Sequence, residues 1–305
     1  MNINLWIEKF RPSTLDEYVG NEDIKKKCEQ FIQNNEIPHL LFHGRAGTGK
    51  TTLAKILVNH IDCDYLYINA SAERGIDIVR DKIRNFASSV GFKKWKVIIL
   101  DESDYMTPDA QASLRNTMEV FAGGTRFILT CNYPEKIIEP LQSRCQTFKI
   151  QPPSMKDIAI KCANILKEEG VSFEPSDLKV IIENDYPDIR KILGDLQSNV
   201  FDNQLKLSSE FLSKNDVENK VIDVLCNSKS KKDKFTEIRQ ILLDTIGYDY
   251  TNLYSLLFKR IDEYGKGNIG QIILIIAEGQ HRATHSVDKE ISAMATIVNI
   301  LETIG

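Results

Sequence analysis

"GRAGTGKT" (residues 44–51) decides how this chain folds. The run fits G-x-x-x-x-G-K-[ST], follows the apolar "HLLFH" (39–43) and leads into the helical pattern "TTLAKILVNH" (51–60). Glycines at 47 and 49 let backbone N–H groups curl around phosphate oxygens with no side chain in the way. Lys50 brings a point charge to the β- and γ-phosphates, Thr51 a hydroxyl for Mg²⁺, and the helix N-terminus its dipole. Gly44, Arg45, Ala46, Thr48 and Thr52 complete the candidate ATP-binding loop. With average residue usage a chain this long matches the pattern by chance about one time in a hundred. A plain glycine-rich turn would need neither the strand before it nor the helix after it.

A second element gives the loop its chemistry. "VIILDESD" (97–104) is an apolar strand that ends in acids. Asp101, at the strand's end, is placed to hold the hydration shell of Mg²⁺, and Glu102 to polarise an attacking water. Alone, four apolar residues followed by Asp-Glu describe any strand running into a solvated loop; beside a phosphate loop they describe an ATPase. Asn132 ends the next strand, "ILTCN" (128–132). It reads either as an asparagine opening a turn before "YPEK" or as a polar group facing the γ-phosphate, and the alternation of strands favours the second.

Outward from this centre, "HLLFHG" (39–44), "YLYINA" (65–70), "KVIIL" (96–100), "RFILTCN" (126–132) and "QTFKI" (146–150) read as strands too apolar to have a wet face. With helical patterns between them they predict an α/β domain, a mainly parallel sheet covered on both sides. In "MTPDAQASLRNTMEVF" (106–121), Thr107 caps a helix, Pro108 suits its first position and Asp109 its first turn. Ala110, Leu114, Met118 and Phe121 mark its apolar face. "QPPS" (151–154) breaks the pattern, and only helices are expected after it. The predicted organisation is an ATPase domain over 1–150, a helical lid over 151–207 and a helical collar over 208–305. "SSEFLSKND" (208–216) and "NSKSKKDK" (227–234) read as polar interruptions, and Leu253, Leu257, Ile261 and Tyr264 recur at helical spacing.

The chain has 305 residues, 42% hydrophobic and 27% charged, and a net charge of −4. That composition suits a soluble globular protein and leaves nucleic-acid binding to a local basic face. Six scattered cysteines with no C-x-x-C argue against a zinc site or a disulfide scaffold and fit a reducing compartment. No apolar run is long enough to span a membrane, and no hydrophobic signal segment opens the sequence, so a cytoplasmic location is expected.

"WIEKFRPSTLDEYVGNE" (6–22), "NASAERGIDIVR" (69–80), "DESDYMTPDAQASLRNTME" (101–119), "LQSRC" (141–145) and "PDIRKILGDLQ" (187–197) together resemble the AAA+ clamp-loader ATPase subunits, of the replication factor C small-subunit and phage types. The resemblance covers most of the chain, and the Ser-Arg-Cys box is its most discriminating part. It implies that Arg144 is an arginine finger reaching the nucleotide of a neighbouring subunit, an effect worth about 10³–10⁵ in rate. It implies a lid arginine, Arg190, gripping the γ-phosphate; a base pocket lined by Glu8, Lys9, Phe10, Arg11 and Val19; and Gln111 as a coupler between adjacent ATP sites. Without the resemblance, Arg144 would read as a surface arginine at a turn, and the N-terminal residues as an arm that merely packs. The implied partners are a sliding clamp, primer–template DNA and further loader subunits in a homo- or hetero-pentamer, with no membrane.

Phosphate contacts to DNA would come from Arg74, Arg80 and Arg84. Asp77 and Asp81 interleave with these arginines at helical spacing, so a solvated, salt-bridged face would look the same; the resemblance favours DNA. Val79, Ile83, Phe86 and Val90 would bury the other side of that helix. Phe92 and Trp95, in "FASSVGFKKWK" (86–96), are candidates for a clamp groove or for the core. "EGQHRATH" (278–285) places Glu278, His281 and His285 on one helix face. Arg282 stands where H-E-x-x-H would have its glutamate, so packing or an interface is expected there and not a metal. Two rivals remain. A branch-migration motor would carry a C-terminal winged helix, and a non-hydrolysing structural subunit a damaged phosphate loop or no Glu102.

Overall fold

Period-2 alternation divides the apolar strands between two cores, so each central strand is buried on both faces. The computed structural model describes residues 5–207, 209–227, 229–244 and 250–304. The helices α1 (Trp6–Lys9) and α2 (Glu22–Asn34) precede the first strand, β1 (Leu40–His43). The phosphate loop then opens α3 (Lys50–His60), and β2 (Cys63–Asn69) follows. Next come a broken helix made of α4 (Ile76–Ile78), a π-turn (Val79–Ile83) and α5 (Arg84–Ser88), and after it β3 (Trp95–Asp101). The elements α6 (Pro108–Val120), β4 (Thr125–Cys131), α7 (Glu139–Gln142) and β5 (Gln146–Lys149) complete the α/β part. The strands form one sheet in the order β2-β3-β4-β1-β5, every pair parallel.

Leu40, Phe42, Val97, Ile99 and Ile128 face Leu53, Ile56 and Leu57 of α3 and Cys28 of α2. Their neighbours Leu41, Ile98, Leu100, Phe127 and Leu129 face Ala110, Leu114 and Met118 of α6. The expected α/β fold with both faces covered is what the chain adopts. The edge strands differ: Tyr65 and Tyr67 of β2, and Gln146, Thr147 and Lys149 of β5, are partly or fully exposed, because an edge strand has a neighbour on one side only. As predicted, Thr107 caps α6, its hydroxyl accepting from Ala110 N at 3.3 Å. Phe121 falls just past the helix, at its C-cap.

After "QPPS" come α8 (Met155–Glu168), α9 (Pro175–Asp185) and α10 (Ile189–Ser198), then a short hairpin of β6 (Val200–Phe201) and β7 (Gln204–Leu205). The hairpin departs from the helices-only expectation: Asp202 and Asn203 both take φ near +50°, and so form a two-residue turn. The chain divides into two compact units, Met1–Lys206 and Leu207–Gly305.

The second unit holds α11 (Ser209–Cys226), α12 (Lys231–Leu243), α13 (Tyr250–Lys259), α14 (Ile261–Tyr264), α15 (Ile269–His285) and α16 (Lys289–Ile304). "SSEFLSKND" is therefore no interruption: α11 runs through it from residue 209, while Ser208 lies outside the described residues. Within "NSKSKKDK", Ser230 caps α12. Leu253, Leu257, Ile261 and Tyr264 are all buried, although the helix breaks at Arg260 between α13 and α14. The helices α13, α15 and α16 meet at Gly279, where a Cβ would lie 2.1 Å from Thr296 Oγ1 and 2.9 Å from the Tyr254 ring. Glu278 is ion-paired with Arg282. Among the described residues no helix is long and apolar enough to cross a membrane.

Candidate active site

Because the strands are parallel, the loops that leave β1, β3 and β4 open on one edge of the sheet. The phosphate loop leaves β1 there, with Gly47 at φ +75° and Gly49 at φ +94°, conformations that L side chains rarely adopt. A Cβ on Gly47 would lie 2.2 Å from Asp188 Oδ1, so that glycine also admits the capping residue of α10.

Lys50, the first residue of α3, is buried and donates to Gly44 O at 2.9 Å, Arg45 O at 2.8 Å and Asn132 Oδ1 at 2.9 Å. Burial pulls its pKa down, and the carboxylates of Asp101 and Asp104 oppose that. Thr51 donates to Asp101 Oδ1 at 2.7 Å, and the Tyr67 phenol donates to Asp101 Oδ2 at 2.7 Å. Burial, and then the hydrogen bond to Asp101, push the Tyr67 pKa up, so the phenol stays a donor. Glu102 sits at φ +55° with its N–H donated to Thr130 Oγ1 at 3.1 Å. A left-handed non-glycine residue costs about 1–3 kcal/mol, and here the strained residue is the candidate water-activating acid. Cys131 also faces this space, but burial pushes its thiol up to about 12, so it is not a thiolate nucleophile.

A cavity of about 300 Å³ is lined by Glu8, Ala46, Gly47, Lys50, Thr51, Asp101, Glu102, Asn132 and Arg190. Beside it a smaller one of about 70 Å³ is lined by Phe10, Arg11, Val19, Thr48, Gly49, Thr52 and Arg190. Arg11, Gly47 and Arg190 border both. Glu8 accepts from Arg11 at 2.7 Å, and Thr48 ties the loop by donating to Arg45 O at 2.9 Å. A glycine cradle, a buried ammonium, a hydroxyl–carboxylate pair and a narrower, more apolar neighbouring pocket fit a magnesium nucleoside triphosphate. Lys9 lines neither of these two cavities; its ammonium is ion-paired with Glu169, and with Phe10, Arg11 and Val19 it borders a third cavity of about 930 Å³.

Sequence reasoning missed Tyr67, Thr130, Tyr18 and Asp188. Tyr18 lies under Gly49 and donates to Thr48 O at 3.3 Å, and Asp188 accepts from Arg190 N at 3.0 Å. Only Asp188 carried a usable signal, as an aspartate just before a helical run.

The remaining predicted residues lie elsewhere. Gln111 is buried; it donates to Lys136 O at 2.9 Å and accepts from Ile138 N at 2.8 Å. Arg144 comes just before β5, whose Gln146 pairs with Leu40 at the start of β1. It therefore occupies the opposite edge of the sheet from the phosphate loop, a four-residue strand or about 13 Å away. It donates to Pro140 O at 2.7 Å and is ion-paired with Glu119.

Arg74, Arg80 and Arg84 are all exposed. Arg74 donates to Ser71 O at 2.8 Å, and its guanidinium lies 5.5 Å from the Tyr105 ring centre. The π-turn at Val79–Ile83 shifts the helical spacing assumed for this face. Among the described residues no ion pair joins Asp77 or Asp81 to the arginines; the pair present is Lys82 with Glu73 at 2.5 Å. Ile83 is buried and Phe86 half-buried, but Val90 is exposed, lying beyond the end of α5; the Val79 side chain lies outside the described residues. Phe92 is 97% exposed, whereas Trp95 is half-buried, donating to Asn35 O at 2.9 Å with Arg126 4.3 Å from its ring centre.

Sheet order, glycine cradle and acid-tipped strand define a P-loop ATPase of the α/β class. The model of the AAA family, ATPases associated with various cellular activities, matches residues 40–152. The replication factor C small subunit of Thermofilum pendens is 35% identical over 97% of this chain and 96% of its own length. That of Haloarcula marismortui is 35% identical over 99% of this chain and 87% of its own length. A solved RuvB structure from Thermotoga maritima superposes with a TM-score of 0.58 at 18% identity, covering 96% of this chain and 91% of its own. Another, described as a Holliday junction branch migration motor, gives 0.56 at 19% identity, covering 85% and 81%. At such identities the likeness is one of fold alone. The chain belongs to the replication factor C small subunit family of AAA ATPases, and is an ATP-hydrolysing enzyme.

Proposed function

We propose that this chain is an ATPase subunit of a sliding-clamp loader, which opens the clamp, places it on primer–template DNA and releases it when ATP is hydrolysed. The observation that carries the reading is the placement of Arg144. An intact cis site lies on one edge of the sheet and an exposed arginine on the other. A subunit built this way completes its neighbour's site and not its own. Residues 1–150 are the ATPase domain, 151–207 the lid and 208–305 the collar that holds a pentamer.

In this account Lys50 and Arg190 bind the triphosphate, and Phe10, Arg11 and Val19 enclose the base. Thr51 and Asp101 would hold Mg²⁺, which would supply positive charge against the developing negative charge of the triphosphate. Glu102 orients and polarises the attacking water, and Asn132 faces the γ-phosphate. Arg144 of a neighbouring subunit stabilises charge on the transferred phosphoryl group, so turnover waits for assembly. Gln111, which ties α6 to the segment leading from Asn132 to Arg144, couples one ATP site to the next. Arg74, Arg80 and Arg84 contact DNA phosphates, and Phe92 anchors in the clamp.

The fold likeness to RuvB leaves a branch-migration motor as the rival. The described part of the second unit is helical throughout, which supports a collar over a winged helix. Steady-state ATPase with and without primer–template and sliding clamp tests the reading. Stimulation by both is expected; turnover indifferent to the clamp would favour the motor, and nucleotide binding with no turnover a structural subunit.

A further inference from the structure

We propose that Asp104 is a positioning residue for hydrolysis, acting through Asn132. The inference rests on the reading of Asn132 as the group that faces the γ-phosphate. In "DESD" (101–104) the first two acids have evident work; the last has none at the level of sequence. It lies in the 3₁₀ turn Ser103–Tyr105 and is 7% exposed. Its Oδ2 accepts the backbone N–H groups of Asn132 and Tyr133, each at 3.2 Å. Its Oδ1 is buried and has no hydrogen-bond partner among the described residues.

Burying a carboxylate is costly, and leaving one oxygen unpaired adds to that cost. An uncharged turn would end β4 more cheaply, so the acid has to be explained by what it holds. What it holds is the backbone of Asn132, whose side chain meets Lys50 at 2.9 Å. An ammonium only donates, so the amide oxygen of Asn132 is turned toward Lys50. The two N–H bonds of the amide are then free for a phosphate oxygen or a water, and among the described residues nothing accepts them. From the other side, Ser103 Oγ donates to Thr130 O at 2.8 Å, so the end of β4 is pinned to the acidic turn at two points. A displacement of about 1 Å at a positioned group can cost about 10²-fold in rate. Asp104 keeps the Asn132 amide within reach of the reacting phosphate.

The test is a double-mutant cycle in the full-length chain, stimulated with primer–template and sliding clamp. It reads kcat, ATP affinity and Tm for Asp104→Ala, Asp104→Asn, Asn132→Ala and the Asp104→Ala/Asn132→Ala pair. Asp104→Ala is expected to lower kcat about 30- to 100-fold, with ATP affinity unchanged within about threefold. Asp104→Asn, whose amide oxygen still accepts both N–H groups, is expected to recover most of the rate. The double variant should be no slower than Asn132→Ala alone, because both act through one side chain. If Asp104→Ala does not fold, Asp104→Ser takes its place in the cycle with the same expectation.

Losses that multiply in the double variant, an ATP affinity that weakens in step with kcat, or normal turnover in Asp104→Ala would each overturn the proposal. If Asn132→Ala itself turns over normally, the reading of Asn132 fails first. If Asn132→Ala is slow and Asp104→Ala is not, only the present proposal fails.

Discussion

Arg144 is ion-paired with Glu119, the penultimate residue of α6, and the same guanidinium donates to Pro140 O at 2.7 Å. Both side chains are substantially exposed, at 35% and 51%. A pair of this kind contributes at most about 1 kcal/mol, so exchanging Glu119 for a neighbour's phosphate costs little.

Glu119→Gln should therefore leave the fold intact, lowering Tm by no more than about 4 °C, and should leave stimulated turnover unchanged or modestly raised. Thermal unfolding and steady-state ATPase check this. A tenfold or greater loss of turnover would make Glu119 part of the machinery and not a resting partner for Arg144.

The roles proposed for Lys50 and Glu102 separate binding from chemistry. Lys50 fills the loop with three donated hydrogen bonds, and Lys50→Ala should weaken ATP binding by about 10²-fold or more. Glu102→Gln keeps the residue's shape and removes its charge. It should bind ATP within about threefold of the wild type and lose at least about 10²-fold in turnover. Nucleotide titration and single-turnover hydrolysis distinguish the two variants.

Much of this was legible in the sequence because backbone geometry demands particular residues. Only glycine suits Gly47 and Gly49, and an apolar strand tipped with Asp101 and Glu102 has few other uses. Contacts made across the sheet were not legible. Tyr67 reaches Asp101 from β2, and Thr130 reaches Glu102 from β4; no spacing within one segment encodes either. Val90 failed for a local reason, since α5 ends at Ser88, and the ion pair of Lys9 was hidden because Glu169 lies 160 residues away. The helical spacing of Asp77, Arg80, Asp81 and Arg84 was legible as a pattern, but the π-turn at Val79–Ile83 altered its geometry.

His39 should give the first unit an acid-sensitive stability. Its Nδ1 accepts the Phe127 N–H at 3.1 Å, and burial, helped by Arg126, pushes its pKa down from 6.5 to about 4. The folded state then resists a proton that the unfolded chain accepts. Stability from this source is whole above pH 6.5 and is lost as the pH falls toward about 4. His39→Asn supplies an acceptor that does not titrate, and should flatten the fall of Tm across that window relative to the wild type. Parallel curves for the two proteins would contradict the assignment.

Phe92 is 97% exposed, so Phe92→Asp removes no buried contact. Tm and DNA-stimulated turnover should stay as in the wild type, while the further stimulation by sliding clamp is lost. Clamp titrations of the ATPase rate check this. Full clamp stimulation in the variant would place the clamp contact elsewhere.

The central claim is that Arg144 acts on a neighbour's nucleotide. The most direct measurement compares wild type with Arg144→Ala for ATP affinity and for turnover in the presence of primer–template and sliding clamp. The account predicts unchanged affinity and a loss of stimulated turnover of about 10³-fold or more. Turnover that survives the substitution would leave Arg144 as a surface arginine held by Glu119 and Pro140, and would contradict the account.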